Sequence, residues 1–432
     1  NIRAVQTMNS EQALQYIHGI YRRGKKDGLK RITELLDLLG NPQDSLRFIH
    51  VAGTNGKGSV CVMLSKILEL SGYKTGMYTS PFIMRFNERI IINGIQIPDE
   101  KLAEVTEYVS QAAETMKILP SEFELVTAIA LEYFKRENCD AVVLETGLGG
   151  SFDATNAVKN KLLEIITPID YDHQRELGST ISEIAAHKCG IIIPYSMVVT
   201  CEQRQEAAET IARACLQNHA DLSVVASDEA MLCSGDLSGQ IFRYKGDLYR
   251  LALLGKHQLQ NAALVLRAVE KLRETGMNIP HRAVEEGLAA VSWVGRFELL
   301  MRDPIVVVDG GHNPQGVRAA VESAREYLSD NRLTVVLGVM ADKDFGEMFE
   351  LVDTVATGYV ATNPDYPRAL PCTELAKQLK KFGKQVIIAD NVSQAVKEAV
   401  RCARSDENGA VLCVGTLYMI GEVRKAVKEI QK

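Results

Sequence analysis

The residues of this chain best suited to chemistry gather where apolar runs end. Residues 51–59 read VAGTNGKGS. Gly53, Gly56 and Gly58 allow tight turns and close approach of backbone N–H groups to phosphate oxygens, and Lys57 adds a point positive charge. Ser59 offers a hydroxyl to a phosphate or to Mg²⁺. The run lies between an expected strand at 47–53 and an expected helix at 59–70, so a helix N-terminus stands behind it and favours negative charge. Gly58 separates Lys57 from Ser59, so the spacing departs from the common GxxxxGK[ST] phosphate loop. A glycine-rich turn with a solvent lysine is the alternative.

A bound nucleotide and its metal need oxygen ligands at the same sheet edge. Ser80 ends a second apolar run, Glu145 ends a third (DAVVLE), and Asp170, Asp172 and His173 follow a fourth (LLEIITPI). Ligands of open parallel sheets sit beyond the carboxyl ends of the strands, so these residues can converge. Glu145 suits Mg²⁺ directly, with Ser80 as a neutral oxygen ligand, whereas His173 is a less typical ligand for so hard a cation. A capping carboxylate and a hydrogen-bonded loop imidazole are the competing roles. GLGGSFDATN (147–156) then forms either a loop that orders around substrate or a plain glycine-rich turn. Lys188, near the end of an expected helix at 182–188, is either an anion-binding group or a surface lysine.

Farther along, HQLQN contains Asn261, whose amide suits a base edge or a helix cap. Arg296 in WVGRFE has a fork that can clamp phosphate, stack on a base or pair on the surface. VVVDGGHNP places Asp309 at a strand end, suited to a ribose hydroxyl, and His312 just beyond it, suited to phosphate or a moving proton. A structural turn bonded through Asp309 and Asn313 is the alternative. Asp342, Lys343 and Asp344 follow another strand and suit the charged groups of an incoming amino acid.

Apolar strands separated by helices imply α/β architecture, a mostly parallel sheet covered on both faces. Residues 220–255 have the texture of antiparallel hairpins. A second α/β series begins near 297, giving expected domains 1–296 and 297–432. A chain of 432 residues suits two such domains. The net charge of −6 gives no bulk attraction to nucleic acid or to anionic membrane. Nine scattered cysteines without a CxxC pair fit a reducing compartment, and no run approaches a membrane span. A cytoplasmic protein is expected.

The ordered set YIHG, HVAGTNGKGS, YTSPFIMRFNERI, FELVTA, ETGLGGSFDATN, DHQRELGSTISEIAAHKCGII, HQLQNAA, GRFE, DGGHNP, ADKDF and GTLYMIGEVR spans Tyr16 to Arg424. It resembles the folylpolyglutamate synthases and dual dihydrofolate synthases of the Mur ligase superfamily, most nearly the Gram-positive bacterial type. The resemblance implies a P-loop-type ATPase domain and a smaller Rossmann-like domain with the active site in their cleft. It implies that Thr54, Asn55, Gly56, Lys57, Gly58, Ser59 and Val60 cradle the ATP phosphates and that Ser80, Glu145 and His173 bind Mg²⁺. It further implies that Lys188 is carboxylated and organises a second Mg²⁺, and that Asn261, Arg296 and Asp309 contact nucleotide. Lys57, Lys188 and His312 are then the catalytic candidates, with reduced folate and L-glutamate as substrates and a monomer as the working state. The implied reaction activates the folate γ-carboxylate as an acyl phosphate for attack by the glutamate amine. Phe82, Val294, Gly311 and Thr416 depart from common family residues, but none of the four changes removes a charged catalytic group. A dual enzyme also using dihydropteroate is the nearest alternative, ahead of a cell-wall precursor ligase and a noncatalytic nucleotide-binding scaffold.

Overall fold

The structure is a computed structural model that describes residues 8–20, 28–341 and 345–432. Among the described residues the strands form three sheets. The first joins β1 (Phe48–Ala52), β2 (Thr75–Tyr78), β3 (Ile90–Ile92), β4 (Ile95–Gln96), β5 (Ala141–Glu145), β6 (Lys161–Ile166), β7 (Met197–Cys201) and β8 (Asp221–Val225). Their order is β4-β3-β2-β5-β1-β6-β7-β8. The run β2-β5-β1-β6-β7-β8 is parallel, and the β3–β4 hairpin adds antiparallel strands at one edge.

Every residue of β1 and β5 is buried, as continuous apolar runs require when helices cover both faces of a sheet. On one face, helix residues Ile32, Leu35, Leu125, Ile129 and Phe134 pack with Phe48, Tyr78, Val142 and Leu144. Farther along the same face, Ile184 and Ile211 pack with Ile166 and Val198, while the helix Lys57–Leu70 packs against β1, β2 and β5. Each fully buried aliphatic side chain contributes about 1.5–3 kcal/mol. The helix Glu122–Arg136 starts at a capping box in which the Ser121 hydroxyl accepts from Glu124 N and the Glu124 carboxylate accepts from Ser121 N.

The second sheet is an antiparallel meander of β9 (Ala230–Asp236), β10 (Gly239–Tyr244) and β11 (Asp247–Leu251). In β10, Gln240, Phe242 and Tyr244 are buried while Ile241 and Arg243 are exposed, the alternation of a half-covered strand. The expected hairpin texture is therefore found from 230 onward. Residues 221–225 correct that expectation, because they form the parallel edge strand β8. An edge strand is covered incompletely, and β8 has only Val225 buried, so its DLSVV pattern imitates hairpin alternation.

The third sheet contains β12 (Glu298–Arg302), β13 (Ile305–Val308), β14 (Arg332–Leu337), β15 (Ala356–Ala361), β16 (Gln385–Ile388) and β17 (Gly409–Val414), ordered β12-β13-β17-β14-β15-β16. Only β12 runs antiparallel to its neighbour. Val307, Val335, Leu337 and Leu412 build its core with Val317, Val321 and Leu375 from the flanking helices.

Two compact units result. One comprises the chain to Glu229 with Asn261–Leu288, and the other Ala230–Gln260 with Ala289–Lys432. Among the described residues no helix is long and apolar enough to cross a membrane.

Candidate active site

In the first unit, strand register aligns the carboxyl ends that carry the predicted residues. Val51 lies opposite both Glu145 and Ile165, Ala52 opposite Ile166, and Tyr78 opposite Leu144. The loops after β1, β2, β5 and β6 therefore leave the sheet at one edge. The loop after β1 is stapled to the chain after β6: Thr54 N donates to Pro168 O at 2.9 Å, and Thr54 Oγ1 donates to Asp170 O at 3.0 Å.

Two glycines make this path possible. Gly53 has φ 151°, and a Cβ there would lie 1.8 Å from Thr167 Oγ1. Gly56 has φ 88° and caps the helix Lys57–Leu70, and a Cβ there would lie 2.4 Å from Asn261 Oδ1. Asn261 thus borders the phosphate-type loop from the helix Lys256–Glu274. The helix after the loop begins at Lys57, two residues before the expected start, because Gly58 is absorbed into its first turn. Its first intrahelical bond from Val60 N reaches Gly56 O at 2.9 Å, so the amides of residues 57–59 lie in the anion-favouring first turn.

Both predicted lysines reach the carbonyl of Gly53. Lys57 Nζ donates to Gly53 O at 3.3 Å and to Thr54 O at 3.2 Å. Lys188 Nζ donates to Gly53 O at 2.6 Å. Lys188 is 4% exposed, which excludes the surface-lysine alternative. Burial pushes its ammonium down to about 7, and the nearby Lys57 charge adds to the shift.

Glu145 is buried at the end of β5, where its Oε2 accepts from Ser80 N at 3.0 Å. His173 adopts a left-handed conformation, φ 50°, ahead of the short helix Gln174–Leu177. Its ring is 47% exposed and lies 3.9 Å from Asp172 Oδ2. Among the described residues no group of three or more His, Cys, Asp and Glu side chains is assembled for a metal ion. A carboxylate with a hydroxyl nonetheless fits Mg²⁺, which prefers oxygen and takes one or two protein carboxylates alongside phosphate and water. An ammonium on Lys188 does not fit as a ligand, because it has no lone pair; a carbamate there would.

The glycine loop 147–156 is packed. A Cβ on Gly147 would lie 2.4 Å from Phe123 Cζ, and one on Gly150 would lie 2.6 Å from His187 O. Under it runs a buried network that sequence reasoning missed. His50 Nε2 lies 2.9 Å from Thr155 Oγ1, Thr155 Oγ1 donates to Asp153 Oδ1 at 2.5 Å, and Leu148 N donates to Asp153 Oδ2 at 2.8 Å. Burial raises the Asp153 carboxyl and lowers the His50 imidazole well below its ordinary value, with Lys161 adding to the latter. A histidine inside an otherwise apolar strand was the available signal.

In the second unit Asp309 follows β13 and is buried. Its Oδ2 accepts from Phe297 N at 2.8 Å and its Oδ1 from Gly311 N at 2.7 Å, so the structural-turn role is present. Burial raises its carboxyl despite the opposing charge of Arg296. Gly310 packs against Arg296, where a Cβ would lie 2.7 Å from Nη1. His312 Nδ1 lies 3.0 Å from Gly310 O, and Asn313 caps the helix Pro314–Tyr327 by accepting from Gly316 N. Arg296, Asp309 and His312 therefore share one turn system. Asp342, Lys343 and Asp344 lie outside the described residues.

Comparison with known proteins identifies two family domains in the chain. The Mur ligase middle domain matches residues 51–269, and the Mur ligase glutamate ligase domain matches 295–417. The dihydrofolate synthase/folylpolyglutamate synthase of Bacillus subtilis is 37% identical over 97% of this chain and 99% of its own length. The folylpolyglutamate synthase of Lacticaseibacillus casei is 34% identical over 97% and 99%. The Mycobacterium tuberculosis folylpolyglutamate synthase, solved with ADP and AMPPCP, superposes with a TM-score of 0.87 at 31% identity, covering 97% of this chain and 99% of that one. The chain belongs to the folylpolyglutamate synthase and dihydrofolate synthase family of Mur-type ligases, ATP-dependent enzymes that join an acid to an amino acid.

Proposed function

We propose that the chain is a tetrahydrofolate:L-glutamate γ-ligase that consumes ATP and forms ADP. The observation that carries this reading is the convergence of Lys57 and buried Lys188 on the Gly53 carbonyl, at the sheet edge that also holds Glu145. Residues 54–60 would receive the ATP phosphates on first-turn amides, with Lys57 swinging from the loop carbonyls to the phosphoryl group. Mg²⁺, held by Ser80, Glu145, His173 and a carbamate on Lys188, would offset phosphoryl charge. The lowered basicity of Lys188 supports that carbamate, since only a neutral amine adds CO₂.

Asn261, Arg296 and Asp309 are assigned to nucleotide and His312 to the transfer step. We take 1–296 as the nucleotide-binding part and 297–432 as the part presenting the amino acid, in keeping with a glutamate ligase domain match that begins at 295. The folate γ-carboxylate attacks the γ-phosphate, releasing ADP and leaving an acyl phosphate. The glutamate amine then displaces phosphate to form the amide. Such chemistry relies on positioning and electrostatics and needs no protein nucleophile. The nine cysteines, all free thiols, fit a cytoplasmic enzyme and need no covalent role. A monomer is the proposed working state.

The dual name of the Bacillus subtilis relative favours a second reading, in which dihydropteroate is also accepted. Magnesium-dependent ADP release with glutamate, compared between tetrahydrofolate and dihydropteroate, separates the two. Turnover on tetrahydrofolate alone supports the first reading, turnover on both the second, and turnover on neither overturns both.

A further inference from the structure

Lys188 is the penultimate residue of the helix Ile181–Cys189. A helix leaves its last carbonyls without intrahelical donors; here Lys188 O and Cys189 O accept from Ile191 N and Ile192 N in the turn that follows, while His187 O, Gly190 O and Ile191 O accept from the glycine loop after Glu145 and the chain just beyond it. Ser151 supplies its N and Oγ to His187 O at 2.8 and 3.1 Å. Asn156 Nδ2 donates to Gly190 O at 2.9 Å. Lys161 Nζ donates to Ile191 O at 2.5 Å and to Asn156 Oδ1 at 2.9 Å. Ile193 N in turn donates to Glu164 Oε1 at 3.3 Å.

The packing leaves no slack. A Cβ on Gly190 would lie 2.5 Å from Ser151 Cα, and one on Gly150 would lie 2.7 Å from Lys188 O. The backbone around Lys188 is thus gripped by residues 151–164, while its Nζ reaches Gly53 O at 2.6 Å. Lys161 also sets a positive charge beside the negative end of the helix.

We infer that Asn156, backed by Lys161, is a positioning residue that fixes Lys188 relative to Glu145 and the phosphate loop. This rests on the proposed role of Lys188 in organising the metal. Two metal-organising groups must be held to about 0.5 Å, and here one short stretch of chain runs from Glu145 to the clamp. A purely structural helix cap would change stability without touching the metal.

The test is a Mn²⁺ titration by electron paramagnetic resonance on the full chain with AMPPCP, for wild type, Asn156→Ala, Lys188→Ala and the double variant, with melting temperatures alongside. Asn156→Ala is expected to weaken Mn²⁺ binding about tenfold, the usual effect of losing a residue that orients a ligand, with melting lowered by only a few degrees. The double variant is expected to bind no more weakly than Lys188→Ala alone. Unchanged Mn²⁺ affinity in Asn156→Ala, or additive losses in the double variant, overturns the inference while leaving the role of Lys188 intact. Unchanged affinity in Lys188→Ala overturns that role and the inference with it. Should Asn156→Ala fail to fold, isosteric Asn156→Asp loses the same donor to Gly190 and carries the same expectation.

Discussion

Gly53→Ala is the sharpest perturbation of the loop after β1. The new Cβ would lie 1.8 Å from Thr167 Oγ1, 2.9 Å from Thr167 Cβ and 3.0 Å from Thr167 O. Turning the Thr167 side chain off its rotamer relieves the first contact at a cost of about 0.5–1.5 kcal/mol but neither of the others, so backbone must move as well. Strain at φ 151° adds about 1–3 kcal/mol and overpacking about 1–3 kcal/mol, giving about 2–6 kcal/mol in all. The Gly53 carbonyl accepts from both Lys57 and Lys188, so the same shift should loosen nucleotide binding. Thr167→Ala supplies the control. Its Oγ1 is buried without a hydrogen-bond partner, so its loss is offset and the single change should cost about 1 kcal/mol or less. Combined with Gly53→Ala it should recover about 1–2 kcal/mol, a coupling typical of residues in contact. Urea unfolding of the four proteins gives the cycle, and calorimetric titration with AMPPCP gives nucleotide affinity. Wild-type stability for Gly53→Ala, or strict additivity with Thr167→Ala, would refute the steric reasoning.

Glu145→Gln keeps an acceptor for Ser80 N but removes the charge proposed to hold Mg²⁺. ADP release should fall more than about 100-fold, near 3 kcal/mol, with melting close to wild type; preserved turnover would remove Glu145 from the site. Buried His50 has its imidazole lowered by desolvation and by Lys161, so the folded state favours the neutral ring. Its contribution is fully present above the unfolded value of 6.5 and is lost as pH falls below it, at up to about 1.4 kcal/mol per pH unit, because only the unfolded chain takes up the proton. Urea unfolding of wild type and His50→Gln between pH 7.5 and 5 should therefore converge as pH falls, and parallel curves would refute the assignment.

Where burial on both faces dictates composition, the architecture was readable directly, as in β1 and β5 with their wholly buried residues. Local chemistry marked helix ends equally well: Ser121 with Glu124 opens one helix, and Ser71 with Gly72 closes the one after the phosphate-type loop. The β3–β4 hairpin had a signal that went unread, Asn93-Gly94, both residues at positive φ, as tight hairpin turns require. The central position of β17 had none, because pairing of a late strand between β13 and β14 is a non-local choice. At the site, residue types at strand ends were legible while burial was not. Lys188 near a helix end reads alike whether it faces solvent or Gly53. For Asp309 the sequence offered a structural turn beside a ribose contact, but it did not single out the backbone N–H groups of Phe297 and Gly311 as the partners of its two oxygens.

A ribosome delivering this chain in order releases β9–β11 long before the large sheet of the same unit is complete. The chain passes from one unit to the other after residues 229, 260 and 288, and β17 arrives only at Gly409–Val414. At about 5–20 residues per second the meander waits about 8–30 seconds for that strand. Throughout the wait Met231, Ile241 and Leu248 face water, as they still do in the finished fold, and two edge strands stay open. Asp236, Arg243, Lys245, Asp247 and Arg250 punctuate the same three strands and the second turn with charge, which discourages pairing with a neighbouring nascent chain. The interleaved order of segments thus makes protection of an unfinished hairpin a demand of synthesis, met by side chains with no part in catalysis.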